Sequence, residues 1–206
     1  LTSEAAELEK AGVDVGKVLR ISRKAHLIMP THRLLDAANE AAKGSARIGT
    51  TGKGIGPAYT DKVSRNGLRV GDLELDFENR YNAARNRHLL QLKQMGFEIP
   101  ADFEATEQLW LQAAKSLERF LLTDTDWLIN DALRQGKKVL AEGAQGTMLD
   151  VDFGSYPFVT SSNTVTAGAC VGLGVAPRNI GDVYGIFKAY CTRVGSGPFP
   201  TELENE

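Results

Sequence analysis

The chain has 206 residues, 42% of them hydrophobic and 24% charged, with a net charge of −2 and a pI near 6.0. This globular composition excludes a disordered tail, a fibre, and a basic surface fit to hold a nucleic-acid backbone or an anionic membrane, so an anionic ligand must be caught locally. No stretch nears the ~18 unbroken apolar residues of a membrane span, and Cys170 and Cys191 lack disulfide-scaffold or zinc spacing, which points to a reducing, cytoplasmic setting.

Taken in chain order, Ser3 to Lys10 is predicted as a short helix ended by Gly12, Val18–Ile21 and Ala25–Met29 as short strands, and Thr31 to Lys43 as a helix stopped by Gly44. Glycines then divide the chain: seven lie in 43–74, one in 75–135 and eleven in 136–206. The glycine-poor stretch repeats apolar residues at helical spacing (Phe77, Tyr81, Ala84, Leu92, then Leu109, Ala113, Leu117) and reads as an α-helical insert. Gly96 with Pro100 breaks it, and Asp124-Thr125 can cap a further helix from about Trp127 to Gly136, giving three helices. Lys138–Ala141 and Val183–Tyr190 read as buried strands. The expected fold is therefore α/β: a mixed, mostly parallel central sheet with connecting helices, in one domain composed of 1–74, the 75–135 insert, and 136–206 continuing the same sheet. The start at Leu1 and the absence of a closing element after the turn-rich Pro198–Glu202 suggest a piece of something longer.

The densest chemical signal is Gly49-Thr50-Thr51-Gly52-Lys53-Gly54-Ile55-Gly56, with four glycines in eight positions. Such a loop leaves backbone N–H groups able to converge on a phosphate, with Thr50 and Thr51 adding hydroxyls. It is not a Walker A loop, because Gly54 follows Lys53 where Ser or Thr belongs, and no dinucleotide fingerprint occurs. A glycine-rich connection without a ligand fits the same residues. Arg65, within Lys62–Arg69, could reach a phosphate or a neighbouring subunit, or belong to a solvated charge run. Gln145 follows a predicted strand in Glu142-Gly143-Ala144-Gln145-Gly146-Thr147, where an α/β sheet presents its ligand. Its amide suits a base carbonyl or the charge developing on it, and equally a turn. Glu142 and Asp150 flank it without making a catalytic pair on spacing alone. The hydroxyl-rich Thr160-Ser161-Ser162-Asn163-Thr164 can grip phosphate or sugar oxygens, or cap a helix. His26, His32 and His88 show no metal-ligand spacing, so no metal site is expected from these side chains, and Trp110 and Trp127 read as packing anchors.

The glycine loop through Tyr59, Glu142–Thr147, Tyr156–Thr164 and Thr192–Glu202, in that order and spacing, together resemble the adenylosuccinate synthetase family. The resemblance implies a GTP-dependent ligase that joins IMP to L-aspartate through a 6-phosphoryl-IMP intermediate, with Mg2+ at the transferring phosphoryl and a homodimeric assembly. It places Thr51 and Thr160 at the IMP phosphate, Arg65 in the partner subunit's nucleotide site, Gln145 on the purine 6-oxygen as the catalytic contact, and Val194 and Gly195 along the ribose. Lys53 stands where many members carry arginine. The motifs that supply the general base, contact GTP and Mg2+ and bind aspartate in that family are not found here, so the chain is expected to be inactive alone. The alternatives are another nucleotide-binding α/β enzyme, or a non-catalytic interaction module on the helices of 75–135.

Overall fold

The computed structural model describes residues 1–199 and 202. It contains helices α1 (Thr2–Lys10), α2 (Val15–Val18), α3 (Pro30–Lys43), α4 (Ile55–Ser64), α5 (Phe77–Gln94), α6 (Phe103–Lys115), α7 (Thr125–Arg134) and α8 (Ala167–Leu173), with strands β1 (Arg20–Ser22) and β2 (Leu121–Thr123). β1 and β2 pair in parallel, Arg20 opposite Leu121 and Ser22 opposite Thr123, the pairing expected where helices connect strands of an α/β sheet. Ala25–Met29 is not a full strand. It makes an antiparallel bridge, His26 to Arg69, with Leu27 N–H donating to the Leu68 carbonyl at 2.9 Å and Val70 N–H to Ala25 at 2.8 Å.

Helix ends follow the glycines: α1, α3, α5 and α7 stop within two residues of Gly12, Gly44, Gly96 and Gly136. The glycine-poor stretch forms three helices, α5, α6 and α7, although α7 begins at Thr125 rather than Trp127. Pro at the start of α3 costs no hydrogen bond there and presets the helical φ.

The core divides into three clusters. Ala5, Val15, Val70, Leu117 and Phe120 close over the strand pair. Met29, Leu68, Tyr81 and Ala84 lie between α3, α5 and α6, and Leu35, Ala38 and Leu92 join α3 to α5. Leu92 has no exposed surface, and burying such a side chain contributes about 2 kcal/mol. Trp110 anchors this core as expected: its ring lies 5.6 Å from Tyr81, and its indole N–H donates to the Ile28 carbonyl at 2.8 Å. Trp127, by contrast, is 70% exposed and anchors nothing. Buried Glu107 on α6 accepts from Tyr81 and Arg85 of α5 at 2.5 and 2.6 Å.

Two expected strands do not form. Lys138–Ala141 and Val183–Tyr190 carry no strand pairing, and Leu140, Ile186 and Phe187 are almost fully exposed. Apolar runs become buried strands only beside a hydrogen-bonding neighbour, and among the described residues none lies next to them. Beyond Phe120, only Asp150 and Val175 of the described residues are buried. No helix of the described residues is long and apolar enough to cross a membrane.

Candidate functional site

The glycine loop is held from below by one stripe of α3. His32, Asp36 and Glu40 recur every four residues, so they share a helix face. Glu40 Oε2 accepts from the N–H groups of Gly49 at 2.8 Å and Thr50 at 3.3 Å. Asp36 Oδ2 accepts from Gly54 N–H at 2.9 Å. One turn earlier, His32 Nε2 meets Asp61 of α4 at 3.1 Å. Gly54 has φ of +77°, and a Cβ there would come within 2.9 Å of His32, so only glycine lets the loop approach α3 this closely.

This arrangement narrows which N–H groups of the loop are open to a ligand. Those of Gly49, Thr50 and Gly54 are committed to carboxylates, while those of Thr51, Gly52 and Lys53 donate to no described residue. Thr51 is exposed at the tip. Burial pushes the Glu40 carboxyl up, but the Lys43 ammonium and the Gly49 and Thr50 N–H groups outweigh it and hold the group ionised below the usual glutamate range.

Beneath the loop lies a buried polar cluster of His32, Asp61 and His88. His32 Nδ1 accepts from the Met29 N–H at 2.9 Å, which assigns the proton to Nε2 and points it at Asp61. His88 Nε2 lies 2.9 Å from the same carboxylate oxygen, and Arg87 reaches it at 3.0 Å. Desolvation works against the Asp61 charge, yet the hydrogen bonds of His32 and His88 and the Arg87 charge hold its pKa well below the ordinary value. Desolvation likewise lowers His32, against the pull of Asp61. The three groups therefore satisfy one another, and this cluster ties α3, α4 and α5 together.

Two further loops meet the first. Ser196 N–H donates to the Ile48 carbonyl at 3.0 Å. A Cβ on Gly195 would come within 2.7 Å of the Gly49 carbonyl oxygen, so the two backbones touch only because both residues are glycine. Arg193 donates to the Phe158 carbonyl at 3.2 Å and the Ser196 carbonyl at 3.0 Å. A cleft of about 480 Å³ lies between α4 and the hydroxyl-rich loop, lined by Gly56, Tyr59, Thr60, Val63, Ser64 and Ser161. Thr160, next to Ser161, is fixed by its N–H to the Leu149 carbonyl at 2.9 Å.

The hydroxyl loop has its own anchor. Asp150, with no exposed surface, accepts four backbone N–H groups, from Asp152 (2.9 Å), Phe153 (3.1 Å), Thr164 (2.6 Å) and Val165 (3.2 Å). Desolvation opposes its charge and these four donors overcome it, lowering its pKa to about 2. Asp150 is thus a staple. Glu142 is exposed, and the two make no pair.

Of the residues singled out from the sequence, Thr51, Thr160, Val194 and Gly195 sit on three loops that the fold brings together, with Val194 82% exposed. Arg65 caps the opposite end of α4, about 15 Å from the glycine loop at ~1.5 Å per residue. Gln145 is exposed and joins the hydroxyl loop indirectly, as Thr164 Oγ1 donates to the adjacent Gly146 carbonyl at 2.8 Å. Pro200 and Thr201 of the last motif lie outside the described residues. The His32, Asp36, Glu40 stripe and Asp150 were not identified as holders of the site from the sequence. The four-residue recurrence of polar residues within α3 was the available signal.

The sequence profile of the adenylosuccinate synthetase family matches residues 1–206. Adenylosuccinate synthetase of Porphyromonas gingivalis is 69% identical over 204 residues, covering 98% of this chain and 48% of the relative. That of Parabacteroides distasonis is 65% identical over 203 residues with the same coverage. A solved structure described as fully ligated adenylosuccinate synthetase from Plasmodium falciparum superposes with a TM-score of 0.85 at 38% identity, covering 99% of this chain and 48% of that one. The chain thus spans about half the length of the relatives it matches.

Proposed function

The chain belongs to the adenylosuccinate synthetase family, and from that premise we propose that it supplies the IMP-binding half of a GTP-dependent ligase that joins IMP and L-aspartate. The observation that carries this reading is that the 193–196 loop bonds both the residue before the glycine loop, at Ile48, and the segment leading into the hydroxyl loop, at Phe158, in a chain that the family profile matches from end to end.

In this reading the nucleotide phosphate lies at the tip of the glycine loop, on the Thr51 hydroxyl and the uncommitted N–H groups, with the Thr160 hydroxyl as the second donor. Val194 and Gly195 lie along the ribose. Removal of the N1 proton of the purine puts negative charge on the 6-oxygen, and the Gln145 amide donates a hydrogen bond to that oxygen as the charge grows. The 6-oxygen takes the γ-phosphoryl group of GTP, and the aspartate amine then displaces phosphate at carbon 6. Arg65, at the far end of α4, extends toward a second subunit, where its cation offsets phosphate charge.

Magnesium serves transferring phosphoryl groups in general. The His32, Asp61 and His88 cluster does not fit it: two nitrogen donors bearing protons toward a carboxylate already held by Arg87 are a poor match for an ion that wants oxygen ligands and waters.

The test is phosphate release from GTP by the intact enzyme carrying this chain, with IMP and aspartate supplied singly and together. Release that requires both substrates is the expected result, with none from the 206-residue chain alone. Release without aspartate, or with any nucleoside monophosphate, would end the proposal.

A further inference from the structure

The α3 stripe has a role that the reaction outlined above leaves unassigned. A loop of several glycines is entropically costly to fix, and a phosphate site works only when its donors are held in place before the ligand arrives. Two carboxylates on one helix face take the N–H groups at the two ends of the loop: Glu40 holds Gly49 and Thr50, and Asp36 holds Gly54. Between these anchors, Thr51, Gly52 and Lys53 are left exposed with N–H groups that have no acceptor among the described residues. A negative charge so close to an anion site is otherwise unfavourable. Here the Lys43 ammonium, 3.0 Å from Glu40, offsets one of the two. Asp36 is buried and aimed at a single backbone donor. The floor of α3 is itself fixed, because His32 of the same stripe is bonded to Asp61 of α4, the helix that continues the loop.

We infer that Asp36 and Glu40 are positioning residues for the nucleotide phosphate: they clamp the glycine loop at both ends so that the backbone of Thr51–Lys53 and the Thr51 hydroxyl face the ligand. The inference rests on the reading of this loop as the IMP phosphate site. It differs from a plain stabilising role in predicting a defect confined to nucleotide affinity, and from a phosphate-swapping role in predicting that loss of the Glu40 charge does not improve binding.

The experiment uses the intact enzyme with four substitutions, Asp36→Ala, Asp36→Asn, Glu40→Ala and Glu40→Gln, measured by steady-state kinetics and by hydrogen exchange of the loop amides without nucleotide. A hydrogen bond to a charged group is commonly worth about a ten- to hundredfold change in an equilibrium. Each alanine variant should therefore raise KM for IMP by about tenfold or more, leave kcat within about threefold, and speed exchange at 49–54 while α5 stays protected. Asparagine and glutamine keep an acceptor oxygen and should restore most of the affinity. Unchanged KM with fast loop exchange in the alanine variants would overturn the inference, as would a lower KM in Glu40→Ala. Should Asp36→Ala fail to fold, the Glu40 pair, at a partly exposed site, decides alone. Slow loop exchange in the wild type, lost in the variants, with no IMP dependence of any rate, would refute the phosphate-site reading while leaving the clamp itself observed.

Discussion

Among the described residues, two non-glycine residues have left-handed backbone conformations, Arg65 at φ +66° and Gln145 at φ +61°. Each costs about 1–2 kcal/mol relative to glycine at the same geometry. Neither side chain makes a hydrogen bond or ion pair among the described residues, but the Arg65 backbone does, its left-handed turn closing α4 with the N–H on the Asp61 and Lys62 carbonyls. At Arg65 the left-handed turn serves to end the helix, whereas at Gln145 no such helix end accounts for it, as expected of a side chain kept for a ligand. Replacing either with glycine should leave the protein as stable or up to about 1 kcal/mol more stable. Arg65→Gly should mainly raise KM for IMP, and Gln145→Gly should mainly lower kcat, because a contact that strengthens with developing charge acts on the transition state. Thermal melts beside steady-state kinetics check both halves of this expectation. Substitutions that destabilise without touching either constant would mark the two conformations as ordinary turns.

At the level of elements, the hydroxyl loop is held to the 146–153 turn by backbone and side-chain bonds that include the Thr160 N–H on the Leu149 carbonyl and the Thr164 hydroxyl on the Gly146 carbonyl, with the buried Asp150 carboxylate at their centre. Asp150 has a folded pKa of about 2 against an ordinary value of 3.8. The folded state therefore binds its proton less readily than the unfolded chain, and the stabilisation is fully present above pH 4 and lost as the pH falls from about 4 toward 2. Asp150→Asn should lower stability at neutral pH and flatten the loss over that window, as read by acid titration of near-UV circular dichroism. An unchanged acid limb would assign the acid sensitivity elsewhere, Asp61 being the next group in line. The helices were legible from the sequence because apolar residues at helical spacing and glycine stops are local signals, and α5 and α6 needed nothing else. Strands were less so. β1 and β2 are three residues long, too short for a period to show, and the apolar runs at 138–141 and 183–190 lack the neighbours that would make them strands. The site was legible as a set of motifs but not as a scaffold. Thr51, Thr160 and Gly195 announce themselves by composition, whereas Asp36 and Glu40 look like the solvated face of a helix until the loop folds back over them.

Over the molecule as a whole, the three hydrophobic clusters lie within the first 122 residues, while the remainder carries the hydroxyl loop and the 193–196 loop with little buried surface. Local stability follows buried contact. Hydrogen exchange of this chain should show the slowest amides in α3 and α5 around Leu35, Ala38 and Leu92, and rapid exchange throughout 181–192. Comparable protection in both regions would mean that the second half gains its order from contacts other than those seen here.

The run Val183-Tyr184-Gly185-Ile186-Phe187-Lys188-Ala189-Tyr190 is interrupted by a single charge, and Ile186 and Phe187 are 98% and 92% exposed. Residues of this kind, rich in β-branched and aromatic side chains and bare of hydrogen-bonding neighbours, are the raw material of cross-β stacking. Lys188 is the one charge inside this run, set between the flanking Asp182 and Arg193, and Lys188→Ala should raise the tendency of this chain to self-associate, read by light scattering against the unchanged sequence.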